Sequence, residues 1–170
     1  MISTIQPLLG DLKPSTPARD RALAVGLAFQ FAATSPHHLS QSLAGFAELA
    51  RSALQVGQMR VYVNTEHECV GYVIWATLTP EVERRYIGGK PRPLADWEFS
   101  DGTSAWVLDF AVAPGLLRKV MADLRDEVFK DHDLLTYYRL KGQRRLCKRI
   151  SRIDRTSFMA AGRRTQEVVA

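Results

Sequence analysis

The chain is short of the residues that usually betray chemistry at a glance. It has two cysteines, Cys69 and Cys147, far apart in its 170 residues. They make neither a disulfide framework nor a zinc pattern. Four histidines (His37, His38, His67 and His132) are too scattered for a metal site of ordinary ligand spacing. The longest apolar run, residues 22–33, is interrupted by Gln30 and too short to span a bilayer. The first residues, M-I-S-T-I-Q-P-L-L-G, lack the basic start and long apolar core of a secretion signal. These absences predict a cytoplasmic protein with no transmembrane segment. There is no phosphate-binding G-x-x-x-x-G-K-[ST] loop, no dinucleotide fingerprint and no G-x-S-x-G elbow. No internal repeat or low-complexity tract is present.

What is present suits one domain. An apolar content of 46% and a charged content of 24% are ordinary for a soluble globular chain, and this length can enclose a full core. Net charge is +5. The excess gathers between Arg139 and Arg155, where Arg139, Lys141, Arg144, Arg145, Lys148, Arg149, Arg152 and Arg155 face Asp154 alone. Such a patch either attracts an acidic partner or is simply a solvated face.

The pattern predicts an arm over 1–17, a domain over 18–158 and a tail over 159–170. Residues 18–33 read as a buried helix. Leu43, Phe46, Ala50 and Leu54 recur at helical spacing, with Ser35-Pro36 or Ser40 as the expected start. Residues 59–64 and 69–78 read as a strand hairpin around T-E-H-E. Thr79-Pro80-Glu81 opens a short helix. Residues 104–112 form a third strand, 116–129 an amphipathic helix and 134–141 a fourth strand. The basic stretch from Arg144 reads equally as strand or helix. This order predicts an α/β fold, a single-domain GNAT-like (acetyltransferase-like) mixed sheet flanked by helices.

Asp109 is the anomaly. It lies in S-A-W-V-L-D-F-A-V, where a carboxylate is costly unless paired or hydrogen-bonded. It is either a structural aspartate or one that fixes a histidine tautomer, leaving the other imidazole nitrogen to take a proton. His37 and His38 are the candidate partners, and only one of two adjacent side chains normally enters a site. Cys69, in an apolar strand, reads as packing. The turn after the third strand, P-G-L-L-R-K, has one glycine where a CoA-binding turn needs several, so CoA is disfavoured.

Several segments, in order, resemble the bacterial toxin-activating lysine acyltransferases, which modify RTX protoxins. Ser35-Pro36-His37-His38 resembles the family's S-P-x-H. Gly71 to Thr79 resembles its S-W-A-x-L-S strand. Glu81, Glu83 and Tyr86 match E-x-E-x-x-Y. Ala95-Asp96-Trp97 with Ser100-Asp101-Gly102 resembles D-W-x-S-G-D, and Trp106 to Asp109 matches W-x-x-D. Pro114-Gly115 stands for the A-P-F-G turn, and Tyr138-Arg139 for a later I-R strand. The likeness runs over about residues 22–154. The segment after Arg139 departs from the pattern, lacking V-D-P and a glycine pair.

The resemblance implies a GNAT-like fold, often dimeric, and transfer of a fatty acyl chain from acyl carrier protein to an internal lysine of a protoxin. It places His38 as general base, or as transient acyl acceptor, with Asp109 orienting it. No cofactor is implied beyond the acyl-carrier co-substrate. Ser35 would position histidine or substrate, Trp75, Trp106 and Phe110 would wall an acyl groove, and Arg139 belongs to a surface that would receive the acidic carrier. Two other readings remain at this level. One is an N-acyltransferase for a peptide or small amine. The other is a nucleic-acid-binding module, disfavoured because few aromatics interleave with the basic residues.

Overall fold

The computed structural model describes residues 5–7, 12–35, 38, 42–88, 93–141, 144–154 and 159. Pro36, His37, Ser40 and Arg155 lie outside them, as does the tail beyond residue 159. Two helices come first. Helix α1 (Ala18–Ala33) buries Ala24, Ala28 and Ala32, one per turn. Three methyl-sized contacts let the helix backbone approach the sheet closely. Helix α2 (Leu43–Gln55) starts later than residues 35–40 suggested. Its cap is Ser42, whose Oγ accepts the Gly45 amide at 3.0 Å. Phe46, Ala50, Ala53 and Leu54 form its buried face.

The sheet has six strands in sequential order: β1 (Gln6–Pro7), β2 (Met59–Val63), β3 (Cys69–Leu78), β4 (Ser104–Val112), β5 (Leu134–Lys141) and β6 (Arg144–Ser151). The predicted arm therefore contributes an edge strand, and Leu12 within it is fully buried. The undecided basic stretch is β6, paired antiparallel with β5. All pairings are antiparallel except β4 with β5. That parallel pairing spans only Ala105–Val107 against Leu135–Tyr137, so the two strands do not pair further along.

Helix α3 (Pro80–Ile87) follows β3, capped by Thr79 with Pro80 at its first position. A 3-10 turn (Asp96–Phe99) precedes β4. The crossover from β4 to β5 is helix α4 (Leu117–Asp123), which widens into a π-helical turn (Leu124–Val128) closed by the Phe129 amide on the Leu124 carbonyl at 2.7 Å. The predicted continuous helix is thus split in geometry. The buried Arg152 explains the anchoring of its end: its guanidinium donates to the carbonyls of Arg125, Phe129, His132 and Met159.

The sheet carries a core on each face. Helices α1 and α2 cover one face, over Tyr72, Ile74, Ala76, Leu78 and Trp106. Helix α4 and the π-turn cover the other, over Val73, Ala105, Leu135 and Phe129. Gly102 ties the loop before β4 to the end of β3. A Cβ there would lie 1.9 Å from the Leu78 carbonyl carbon, so only glycine fits. None of the described helices is long and apolar enough to cross a membrane.

Candidate active site

A β-bulge places the aspartate. Ile74 pairs with Asp109, but the next residue, Trp75, pairs with Val107, leaving Leu108 as the extra residue of β4. Strict alternation from Trp106 would turn Asp109 toward α4. The inserted Leu108 reverses the phase, so that Leu108 packs against the core beneath α1 and α2 and Asp109 faces the same side. His38 arrives from the segment between those helices. Its amide donates to the Ser35 carbonyl at 2.9 Å, and the Ser35 amide donates in turn to Ala32. The exit from α1 therefore aims the histidine at the sheet.

The two side chains meet. His38 Nε2 lies 2.8 Å from Asp109 Oδ1, with the residues only 7% and 8% exposed. A carboxylate can only accept, so Nε2 carries the hydrogen and Nδ1 is the basic nitrogen of the ring. Asp109 Oδ1 also accepts the Phe110 amide at 2.9 Å. Its Oδ2 accepts the hydroxyl of Tyr72 at 3.0 Å. Three donors thus compensate the burial of one carboxylate.

Tyr72 was not among the residues singled out from the sequence. It is fully buried, and its ring stacks edge-on to Phe46 at 5.7 Å. Burial pushes its phenol well above the usual range, with the Asp109 charge and hydrogen bond adding to the effect. The signal was a lone phenol in G-Y-V-I-W, on the face that β3 shares with its buried positions.

The other expected residues are dispersed. Ser35 contributes its backbone carbonyl to the His38 turn. Trp75 and Phe110 pack on the α4 face, Trp75 edge-on to Phe129, and do not join His38 and Asp109 in one groove. Phe110, next to Asp109 in β4, faces away from it by ordinary strand alternation, and the bulge turns Asp109 away from the face that Trp75 occupies. Trp106 is completely buried among Tyr86 and Tyr138, with Nε1 donating to Glu83 at 3.0 Å. It is a core residue, not a groove wall. Arg139 is exposed on β5. Glu83 also accepts from Ser104 and pairs with Arg149 of β6.

Asp96 accepts both terminal nitrogens of Arg51 and binds Ser52, tying the 3-10 turn to α2. Cys69 is half-buried, and burial raises its thiol above the ordinary value, the opposite of an activated nucleophile. Among the described residues no three His, Cys, Asp or Glu side chains converge as a metal site.

A mixed sheet with helices on both faces presents a buried His–Asp–Tyr network beside the point where β4 and β5 cease to pair. This constellation suits proton transfer in acyl transfer. The model of the HlyC RTX toxin acyltransferase family matches residues 18–156, and the chain belongs to that family. It is an acyltransferase. No curated protein matches it significantly. Among solved structures it is similar to an acetyltransferase of the GNAT family from Listeria monocytogenes 4b F2365. That likeness has 8% identity and a TM-score of 0.45, over 82% of this chain and 78% of the other. It is also similar to a histone acetyltransferase HPA2 and related acetyltransferase from Corynebacterium glutamicum ATCC 13032. There the identity is 15% and the TM-score 0.42, over 83% and 78%.

Proposed function

We propose that this protein moves a fatty acyl chain from acyl carrier protein to the ε-amine of an internal lysine in an RTX-type protoxin, with His38 as general base and Asp109 as its orienting partner. The observation that carries the reading is the 2.8 Å contact between His38 Nε2 and Asp109 Oδ1 in a buried setting. The acceptor lysine is an ammonium ion in water and must lose a proton before it attacks. His38 Nδ1 takes that proton. The amine nitrogen then bonds to the thioester carbonyl and gives up its second proton to solvent, and collapse of the tetrahedral intermediate breaks the C–S bond. The departing thiolate recovers a proton from the imidazolium, which Asp109 has stabilised meanwhile. A covalent acyl-histidine would instead bond the carbonyl to the ring nitrogen first.

The donor is a co-substrate, so the reaction requires no resident cofactor. The exposed cations of β5 and β6, Arg139 and Lys148 among them, suit the acidic surface of a carrier protein. A cytoplasmic location follows from that donor. The test is transfer from palmitoyl-acyl carrier protein to a co-encoded candidate protoxin, read as free thiol and as added mass on a lysine peptide. Both should appear together. Thiol release with small amines acylated and every protein acceptor unmodified would replace this reading with an N-acyltransferase of other specificity.

A further inference from the structure

A cavity of about 350 Å³ lies between helix α2, the 3-10 turn and β4. Its walls include Phe46 and Leu49 from α2, Leu94 and Phe99 from the segment before β4, Tyr86 from α3, and Leu108 from β4. Neither His38 nor Asp109 lines it, but two of its walls adjoin their network. Leu108 is the bulge residue immediately before Asp109. Phe46 meets the ring of Tyr72, which is bonded to Asp109. A second and larger groove, about 610 Å³, runs between α1 and α2 past Val25, Phe29 and Leu54. It contains no residue of β4 and shares Phe46 with the smaller cavity.

We infer that the smaller cavity holds the acyl chain of the donor during transfer, which rests on the acyl-transfer reading above. A thioester carbonyl beside His38 must send its alkyl tail somewhere dry. The cavity next to Leu108 is apolar on its inner walls, and the exposed Ser42 and Glu48 supply a polar rim. Its volume lies within the range of about 300–1,000 Å³ typical of small-ligand sites. Leu49 and Leu94 line it and are half-buried, so each is open to it on one side and packed on the other. They therefore set the length of chain that fits.

Two measurements test this. The first uses a palmitoyl-pantetheine analogue carrying a diazirine at the chain end, irradiated on the intact protein and mapped by mass spectrometry. Labels should fall on peptides bearing Leu49, Leu94 or Phe99. Labels around Val25 on α1, or none at all, would overturn the assignment. This readout needs no turnover, so it separates failure of the cavity from failure of the transfer reading. The second compares octanoyl, lauroyl and palmitoyl donors in wild type, Leu49→Trp and Val25→Trp, after thermal melts establish folding. Leu49→Trp should lose about 10–200-fold on palmitoyl relative to octanoyl, the scale on which apolar pockets discriminate size. Val25→Trp should keep the wild-type ratio. An unchanged ratio in Leu49→Trp, or a shifted one in Val25→Trp, would contradict the proposal.

Discussion

Replacing Tyr72 by phenylalanine removes one hydroxyl and leaves the ring, its packing on Phe46 and the sheet pairing in place. The lost interaction is a 3.0 Å hydrogen bond to a buried carboxylate. Bonds of that kind contribute about 1.5–3 kcal/mol. In a chain of this size the melting temperature should fall by roughly 3–12 °C. The effect depends on pH, with a definite sign. The Tyr72 phenol is held above its ordinary value of 10.0 by burial first and by Asp109 second. The neutral form is thus favoured in the folded state. Its stabilisation is complete below pH 10 and is lost as pH rises toward the folded value.

Between pH 10 and 11 the advantage of wild type over Tyr72→Phe should shrink by about 1 kcal/mol, as the unfolded phenol ionises and the folded one does not. Tyr62, raised likewise by burial and by Asp123, is common to both proteins and cancels in the difference. Urea unfolding followed by circular dichroism at pH 8, 10 and 11 measures it. Equal stability at pH 8, or a difference that does not move with pH, would refute this account of the network.

Gly102→Ala should destabilise by at least about 1–3 kcal/mol, because the new methyl meets the Leu78–Thr79 backbone rather than a side chain that can swing away; a thermal melt checks it. Arg152→Met leaves the buried carbonyls of Phe129 and Met159 and the part-buried ones of Arg125 and His132 without their cation, so the variant should lose about 3 kcal/mol in urea unfolding and exchange its π-turn amides faster. Iodoacetamide should alkylate the exposed Cys147 first and Cys69 much later, since both thiols are raised by burial but only Cys69 is sheltered; peptide mass mapping over time gives the order.

The strands and helices were legible where one periodicity dominated. The β3 run Cys69–Leu78 and the β5 run Leu134–Lys141 lie where β-branched and aromatic residues put them. Helix α2 was legible in its apolar face but not in its start, because Ser35, Ser40 and Ser42 are all competent caps and only three-dimensional context selects Ser42. The candidate dyad was visible as a carboxylate in a strand that ought to have none. Its surroundings were not. A bulge adds one residue without any mark in composition, and strict alternation misassigns the face of every residue beyond it. Trp75 lies across the sheet from Asp109, where unbroken alternation would put the two on one face, whereas Phe110, the next residue in β4, faces away from Asp109 by alternation alone. Tyr72 escaped notice for the converse reason: an aromatic in a strand reads as packing until its hydroxyl is seen to reach a carboxylate. The shared motif residues Asp96 and Glu83 prove to hold α2, Trp106 and β6 in place.

The most direct test of the central claim is the rate of lysine acylation by wild type, His38→Ala and Asp109→Asn, each shown to be folded, with palmitoyl-acyl carrier protein and a protoxin acceptor. General-base catalysis contributes about 10²–10⁴-fold, so His38→Ala should lose at least that much and Asp109→Asn should fall with it. A folded His38→Ala variant that acylates lysine at the wild-type rate would contradict the assignment of the buried His–Asp pair as the catalytic machinery.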